Sequence, residues 1–299
     1  MPQALLPGSR IAVVGLGNMG LPMARRLAEA GYEVVGSDVS DSARQTLAGV
    51  PGASALASPS EAAKDADAVV LMLPTSSVVR AVLIDGQLLD ALAPGATLID
   101  MGSSEPLETR ALSAEAERRD IEVLDAPVSG GVRGAVDGTL TIMVGGAEGP
   151  VERARPLLAA LGRNVVHVGP VGAGHALKAL NNLLSATHLL ASSEALTIGR
   201  RFGLDPRVML EAINGSSGRS ASTERKLPDH VLTGSYASGF PVNLMVKDMR
   251  IAVDLGAALG AAPALGQQAL DLWARGAEAL PPDADHTEIA RWVDAVAGA

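Results

Sequence analysis

The chain has 299 residues, 47% of them apolar and only 2% aromatic, enough for one large or two ordinary domains with a core of Ala, Leu, Val and Ile. A net charge of −9 without a Lys/Arg cluster argues against a nucleic-acid surface, and zero cysteines exclude disulfides, thiolate metal sites and a cysteine nucleophile. No run approaches ~18 uninterrupted apolar residues and the opening MPQALLPGSRIAVVG lacks a secretion signal, so a cytoplasmic protein with no membrane partner is expected.

Taken in chain order, short apolar runs at Ile11 to Val14, Glu33 to Ser37, Ala68 to Met72, Thr97 to Asp100, Ile121 to Leu124, Leu140 to Val144 and Val165 to Val168 read as strands. Helix-like segments or turns separate most of them. This alternation predicts a mostly parallel, doubly wound α/β sheet over residues 1–170. From Ala173 to about Gly203 there is no proline, and Leu177, Leu180, Leu184, Leu189 and Leu196 recur at helical spacing, which predicts one long helix. Further helices are expected near Asp205 to Ile213, Val242 to Leu259, Ala264 to Ala279 and Thr287 to Ala297, the last with Asp285 and Glu288 as a capping box. Residues 171–299 should therefore form an all-α C-terminal domain entered by that long helix, with Gly169 to Gly172 as the hinge.

The first strand ends in Gly15-Leu16-Gly17-Asn18-Met19-Gly20 and runs directly into a helix. Glycines there let the backbone turn tightly, approach a pyrophosphate and pack the helix on the strand, while the helix N-terminus offers N–H groups to the anion. Asp38 ends the second strand 18 residues after Gly20, close to the ~20 expected of the carboxylate that accepts from ribose hydroxyls. Together they predict a Rossmann-type dinucleotide domain. A carboxylate at Asp38, followed by Val39 where an NADP enzyme would favour arginine, points to NAD; Arg44 nearby could soften that preference.

Asp125-Ala126-Pro127-Val128-Ser129-Gly130-Gly131 follows a strand and so falls at the carboxyl edge of the sheet, where open α/β folds bind ligands. Ser129 offers a hydroxyl, and successive glycines can expose N–H groups to a carboxylate; a plain Pro/Gly turn is the alternative. On the long helix Lys178 is followed by Asn181 and Asn182 on the same face. Such a trio in an apolar segment suits a wet pocket better than a packed stripe.

These motifs together resemble the β-hydroxyacid dehydrogenases, in particular those like 3-hydroxyisobutyrate dehydrogenase. The resemblance rests on GLGNMGLPMARRL, DAPVSGG continuing to GTLTIMVGG, GAGHALKALNN and LMVKDMRIA, in that order over nearly the whole chain. It implies hydride transfer between NAD and a small 3-hydroxy acid or its semialdehyde, with Lys178 as general acid/base, a role that desolvation would assist. It also implies that Ser129, Gly130, Gly131 and Asn182 bind the substrate, with Asn181 beside them and Phe240 against a small apolar group. Leu73, Pro74 and Ser103 would line the nicotinamide half, Lys247 would reach the cofactor with Asp248 as its partner, and the protein would be a homodimer or homotetramer. Gly102 departs from the hydroxyl residue that relatives usually carry.

The five histidines show no two-ligand spacing beside a carboxylate, so no metal is expected. His175 could tune Lys178 or be an ordinary helix residue. Tartronate semialdehyde, threonate, serine and sulfolactaldehyde remain open as substrates. An imine reductase or a non-catalytic cofactor-binding module is disfavoured because both tend to lack the lysine.

Overall fold

A computed structural model describes residues 4–298, which divide after Lys178 into two units. This division falls eight residues beyond Pro170, inside the long helix, while the segment Gly169 to Gly172 lies wholly within the first unit.

The first unit is built on strands β1 (Arg10–Val14), β2 (Glu33–Ser37), β3 (Ala53–Leu56), β4 (Ala68–Leu71), β5 (Thr97–Asp100), β6 (Glu122–Asp125), β7 (Val128–Ser129), β8 (Leu140–Gly145) and β9 (Gly162–Gly169). Helices α1 (Gly20–Glu29), α2 (Asp41–Ala48), α3 (Pro59–Ala63), α4 (Ser76–Arg80), α5 (Leu88–Ala91), α6 (Pro106–Glu117), α7 (Gly131–Asp137) and α8 (Glu148–Leu161) connect them. The sheet runs β3-β2-β1-β4-β5-β6-β8-β7, with β9 on β8. Strands β1 to β6 are parallel, and β8 reverses direction against β6 and β7. The reversal of strand order between β1 and β4 is the switch point at which such sheets bind nucleotides.

Side-chain alternation feeds two cores. Ile11 and Val13 join α1 and α8 through Met23, Leu27, Val151 and Leu158. Ala12 and Val14 face the opposite layer, with Leu83, Leu88 and Leu112. Two strands were not expected. β3 (ASAL) is short and rich in small residues, with alternately half-buried and exposed positions on the sheet edge, and β7 has two residues, too few for any periodicity.

Helix α9 (Ala173–Phe202) begins in the first unit and continues into the second, where α10 (Pro206–Asn214), α11 (Val242–Ala258), α12 (Ala264–Ala279) and α13 (Ile289–Ala297) follow. A π-helical stretch, Ser222–Val231, precedes α11; Pro228 inside it has no N–H to give to an α-helical ladder. Trp273 is fully buried in the core of this unit and donates its indole N–H to Ala186 O at 3.2 Å. Half of the expected capping box forms: Asp285 accepts from Thr287 N at 2.9 Å, but it caps a 3₁₀ turn (His286–Glu288) that leads into α13, and Glu288 pairs with Arg291 at 3.0 Å. No helix among the described residues is long and apolar enough to cross a membrane.

Candidate active site

The turn after β1 uses its glycines in two different ways. A Cβ on Gly15, which has φ +95°, would lie 2.4 Å from Met72 O, and one on Gly20 would lie 1.8 Å from Gly15 O, so the fold itself demands both. A Cβ on Gly17 would meet nothing within 4 Å. The space above Gly17 is thus an open cradle, flanked by exposed Asn18 and half-buried Met19. No side chain caps α1 and no acid sits in its first turn, so nothing there opposes an anion at the positive end of the helix. Asp38 is held at the end of β2: Oδ2 accepts from Leu16 N at 2.6 Å and Oδ1 from Ser40 N at 2.8 Å. The Leu16 N–H therefore serves to fix that carboxylate, and Val39 beside it is fully exposed. The Arg44 guanidinium donates to the Asp38 carbonyl and pairs with Asp41, so its charge is engaged. An open cradle, an uncapped helix start and a fixed carboxylate fit the pyrophosphate and ribose of NAD.

Leu73, half-buried, and exposed Pro74 follow β4, next to the glycine turn, where a Cβ on Gly15 would come within 3.2 Å of the Leu73 side chain. Ser103, half-buried, lies in a loop shaped by Asp100, whose Oδ1 accepts from Gly102 N at 2.9 Å and whose Oδ2 accepts from Ser104 Oγ at 2.7 Å. Gly102 has a steric reason, because a Cβ there would lie 2.7 Å from Leu73 O. Its hydrogen bond to Asp100 comes from the backbone and needs no side chain.

Ser129 sits on β7 opposite Thr141, half-buried; Gly130 and Gly131 then adopt φ +135° and +63° and start α7. Such positive φ values are strained for residues that carry a Cβ and suit glycine. Lys178, with 9% of its surface exposed, lies on the second turn of α9. The start of that helix is clamped by Asp125, fully buried at the end of β6, whose Oδ1 accepts from Gly172 N at 2.7 Å and Oδ2 from His175 N at 2.8 Å. The His175 ring is buried too, with Nδ1 2.8 Å from Thr109 Oγ1 and Nε2 3.7 Å from Asp100 Oδ2.

In the second unit, Asn182 is 6% exposed and gives its Nδ2–H to Asp248 Oδ2 at 2.6 Å, while Asn181, exposed, donates to Asn182 Oδ1 at 3.2 Å. Lys247 pairs with Asp248 at 3.2 Å, as expected of that couple. Phe240 belongs to a different cluster, edge-on to His286 at 5.7 Å. Asp285 holds its loop by accepting from Ser238 Oγ, Gly239 N and Phe240 N. Burial works to raise the Asp285 carboxyl, but hydrogen bonds from Thr287 and Ser238 outweigh it and hold the group below the usual range. Burial, with Lys226 nearby, pushes His286 down to about 4.

The structure thus ties the glycine turn to Asp38 and to Leu73, and the lysine helix to the strand that continues into Ser129. It separately ties Asn181, Asn182 and Lys247 together through Asp248. Sequence reasoning did not assign Asp100, Asp125, Ser104 or Thr109 a part. The signal was present for two of them, since Asp100 and Asp125 are carboxylates that end apolar strands at the ligand-binding edge of the sheet. No group of three or more His, Asp or Glu side chains among the described residues is arranged to hold a metal.

Comparisons with known proteins agree with this layout. Residues 10–169 match the NAD binding domain of 6-phosphogluconate dehydrogenase, and residues 172–293 match the family described as NAD-binding of NADP-dependent 3-hydroxyisobutyrate dehydrogenase. An NAD-dependent L-serine dehydrogenase of Pseudomonas aeruginosa is 39% identical over 271 residues, covering 88% of this chain and 91% of the relative. A mitochondrial 3-hydroxyisobutyrate dehydrogenase of Bos taurus is 38% identical over 272 residues, covering 88% and 80%. A solved structure of the Mycobacterium tuberculosis 3-hydroxyisobutyrate dehydrogenase with L-serine matches with a TM-score of 0.90 at 35% identity, covering 96% of this chain and 99% of that one. With the open cradle above Gly17 and the carboxylate at Asp38, these matches establish that the chain belongs to the β-hydroxyacid dehydrogenase family and is an NAD-linked dehydrogenase of hydroxy acids.

Proposed function

We propose that the substrate is a small 3-hydroxy acid of the 3-hydroxyisobutyrate type, oxidised to its semialdehyde or formed from it, with Lys178 as the general acid/base. The observation that carries this reading is the burial of Lys178, 9% exposed, on a helix whose first turn is clamped by the strand end leading into Ser129-Gly130-Gly131. Lysine is rarely buried, and a buried titratable group at the ligand-binding edge of such a sheet is a candidate for proton transfer. Bound NAD supplies the acceptor for the hydride lost by the carbinol carbon. Lys178 Nζ takes the hydroxyl proton during oxidation and returns it during reduction. Ser129 Oγ and the N–H groups of Gly130 and Gly131 hold the carboxylate, and Asn182, one turn beyond Lys178 on the same helix, orients the substrate with Asn181 at its side. Gly15 to Gly20, Asp38, Val39, Leu73, Pro74 and Ser103 make the cofactor contacts. Phe240 and Lys247 keep, within this proposal, the substrate and cofactor contacts that the resemblance implies. The working form is a cytoplasmic homodimer or homotetramer.

L-serine is the second reading, favoured by the name of the Pseudomonas relative and by the serine named with the mycobacterial structure. Such substrates differ by contacts worth about 1–3 kcal/mol each. NAD reduction over a panel of 3-hydroxyisobutyrate, L-serine, threonate and other hydroxy acids, run beside Lys178→Ala, tests both readings. The highest kcat/KM for 3-hydroxyisobutyrate, lost in the variant, supports the proposal; the highest for L-serine transfers it to the second reading. Undiminished activity in the variant rejects the lysine role.

A further inference from the structure

We propose that Asp125 is a positioning residue for Lys178, fixing the phase of the catalytic helix against the substrate strand, with His175 extending the same registration to helix α6, which follows the Ser103 loop. This rests on Lys178 being the acid/base.

An ordinary helix is capped locally, by a Ser, Thr, Asp or Asn at its own N-cap. Helix α9 has Gly172 there, at φ +88°, and takes its cap from a carboxylate 47 residues earlier in the chain. Both Asp125 oxygens are used, one on Gly172 N and one on His175 N, and the side chain is wholly buried. Two glycines make room for it: a Cβ on Gly145 would lie 2.3 Å from Asp125 Oδ1, and one on Gly174 would lie 2.9 Å from Asp125 Oδ2 and 2.3 Å from Met143 O. A two-point clamp on the first turn restrains rotation and translation together, and Lys178 follows His175 by three residues, within the next turn.

His175 adds a lateral tie. Thr109 gives its hydroxyl proton to Glu105 O, so its oxygen accepts from His175 Nδ1–H. The opposite nitrogen lies 3.7 Å from Asp100 Oδ2, beyond hydrogen-bond distance, so the tie runs through Thr109 on α6. The helix bearing Lys178, the strand leading to Ser129 and helix α6, which follows the loop bearing Ser103, are therefore indexed to one another by the buried Asp125, His175 and Thr109 within the first unit.

The test is steady-state kinetics with NAD and both 3-hydroxyisobutyrate and L-serine, beside NADH binding followed by fluorescence, on Asp125→Asn, His175→Leu, His175→Asn and Lys178→Met. Because a misplacement of about 1 Å costs on the order of 100-fold, Asp125→Asn should lower kcat by about 10- to 100-fold. NADH affinity should stay within about twofold, since the glycine turn is untouched. His175→Leu should lose kcat in the same way, and His175→Asn, whose amide N–H can replace Nδ1–H toward Thr109, should recover most of it. Unchanged kcat in Asp125→Asn with inactive Lys178→Met overturns this inference alone. Parallel loss of NADH binding and kcat in Asp125→Asn also overturns it, by making the clamp merely structural. Activity retained in Lys178→Met overturns the proposed function from which it starts.

Discussion

At the scale of single residues, the glycine turn separates what the fold needs from what the cofactor needs. Gly20→Ala places a methyl group 1.8 Å from Gly15 O, a clash with backbone that nothing nearby can relieve, and should cost about 3 kcal/mol or more of stability. Gly17→Ala meets no atom of the protein, so the melting temperature should stay within about 2 °C while NADH affinity falls by about tenfold or more. Thermal melts with and without NADH decide it: equal destabilisation by the two variants would mean that Gly17 has no part in holding the pyrophosphate. Asp38 gives the complementary case. Removing its charge with Asp38→Asn leaves an oxygen for Leu16 N but lifts the repulsion toward a 2′-phosphate, so the NAD to NADP ratio of kcat/KM should shrink by about tenfold. An unchanged ratio would move the basis of cofactor choice elsewhere, with Arg44 the next residue to replace.

At the scale of elements, the junction of the 3₁₀ turn, α13 and the loop that carries Phe240 is held by a neutral histidine and an ionised aspartate. His286 titrates at about 4 when folded because burial, and then Lys226, disfavour its charge. Between about pH 6.5 and pH 4 the unfolded chain binds a proton that the folded chain refuses, so stability is complete above this window and falls with pH through it, by up to about 3 kcal/mol. Asp285, its carboxyl held low, adds a loss in the same direction only below the usual carboxylate range. Urea unfolding across the window should show a shallower slope for His286→Asn, whose amide can serve Phe240 O; an identical slope would place the proton elsewhere. Much of this element structure was legible beforehand. Strands such as Thr97–Asp100 and helices such as Ala264–Ala279 have apolar periodicity over their full length, and their bounds agree with the sequence reading. The capping of α9 was not legible, because its cap lies 47 residues away and a local reading sees only a glycine at the helix start. The same limit hid the Asp100 turn: the motifs announce that chemistry occurs, but the buried polar side chains that position them are tertiary facts.

At the scale of the whole molecule, the two tryptophans offer an uneven view. Trp273 and Trp292 both lie in the second unit, whereas the glycine turn, Asp38, Leu73 and Ser103 all lie in the first. Tryptophan fluorescence, excited selectively over Tyr32 of the first unit, therefore reports the helical unit alone, while far-UV circular dichroism reports both. The two units share the 30-residue helix α9, which starts in one and continues in the other. Unfolding the first unit strips this helix of its Asp125 clamp and of about a fifth of its length, and helix formation is cooperative enough that the remainder should not stand unaltered. The expected result is a single transition at which fluorescence and circular dichroism coincide. NAD at about 100 times its Kd should then raise the fluorescence midpoint as well, since binding at that level contributes about 2.7 kcal/mol, or about 4 °C for a chain of this size. A fluorescence transition that ignores NAD, while circular dichroism splits into two steps, would show that α9 breaks near Lys178 and that each unit folds on its own account.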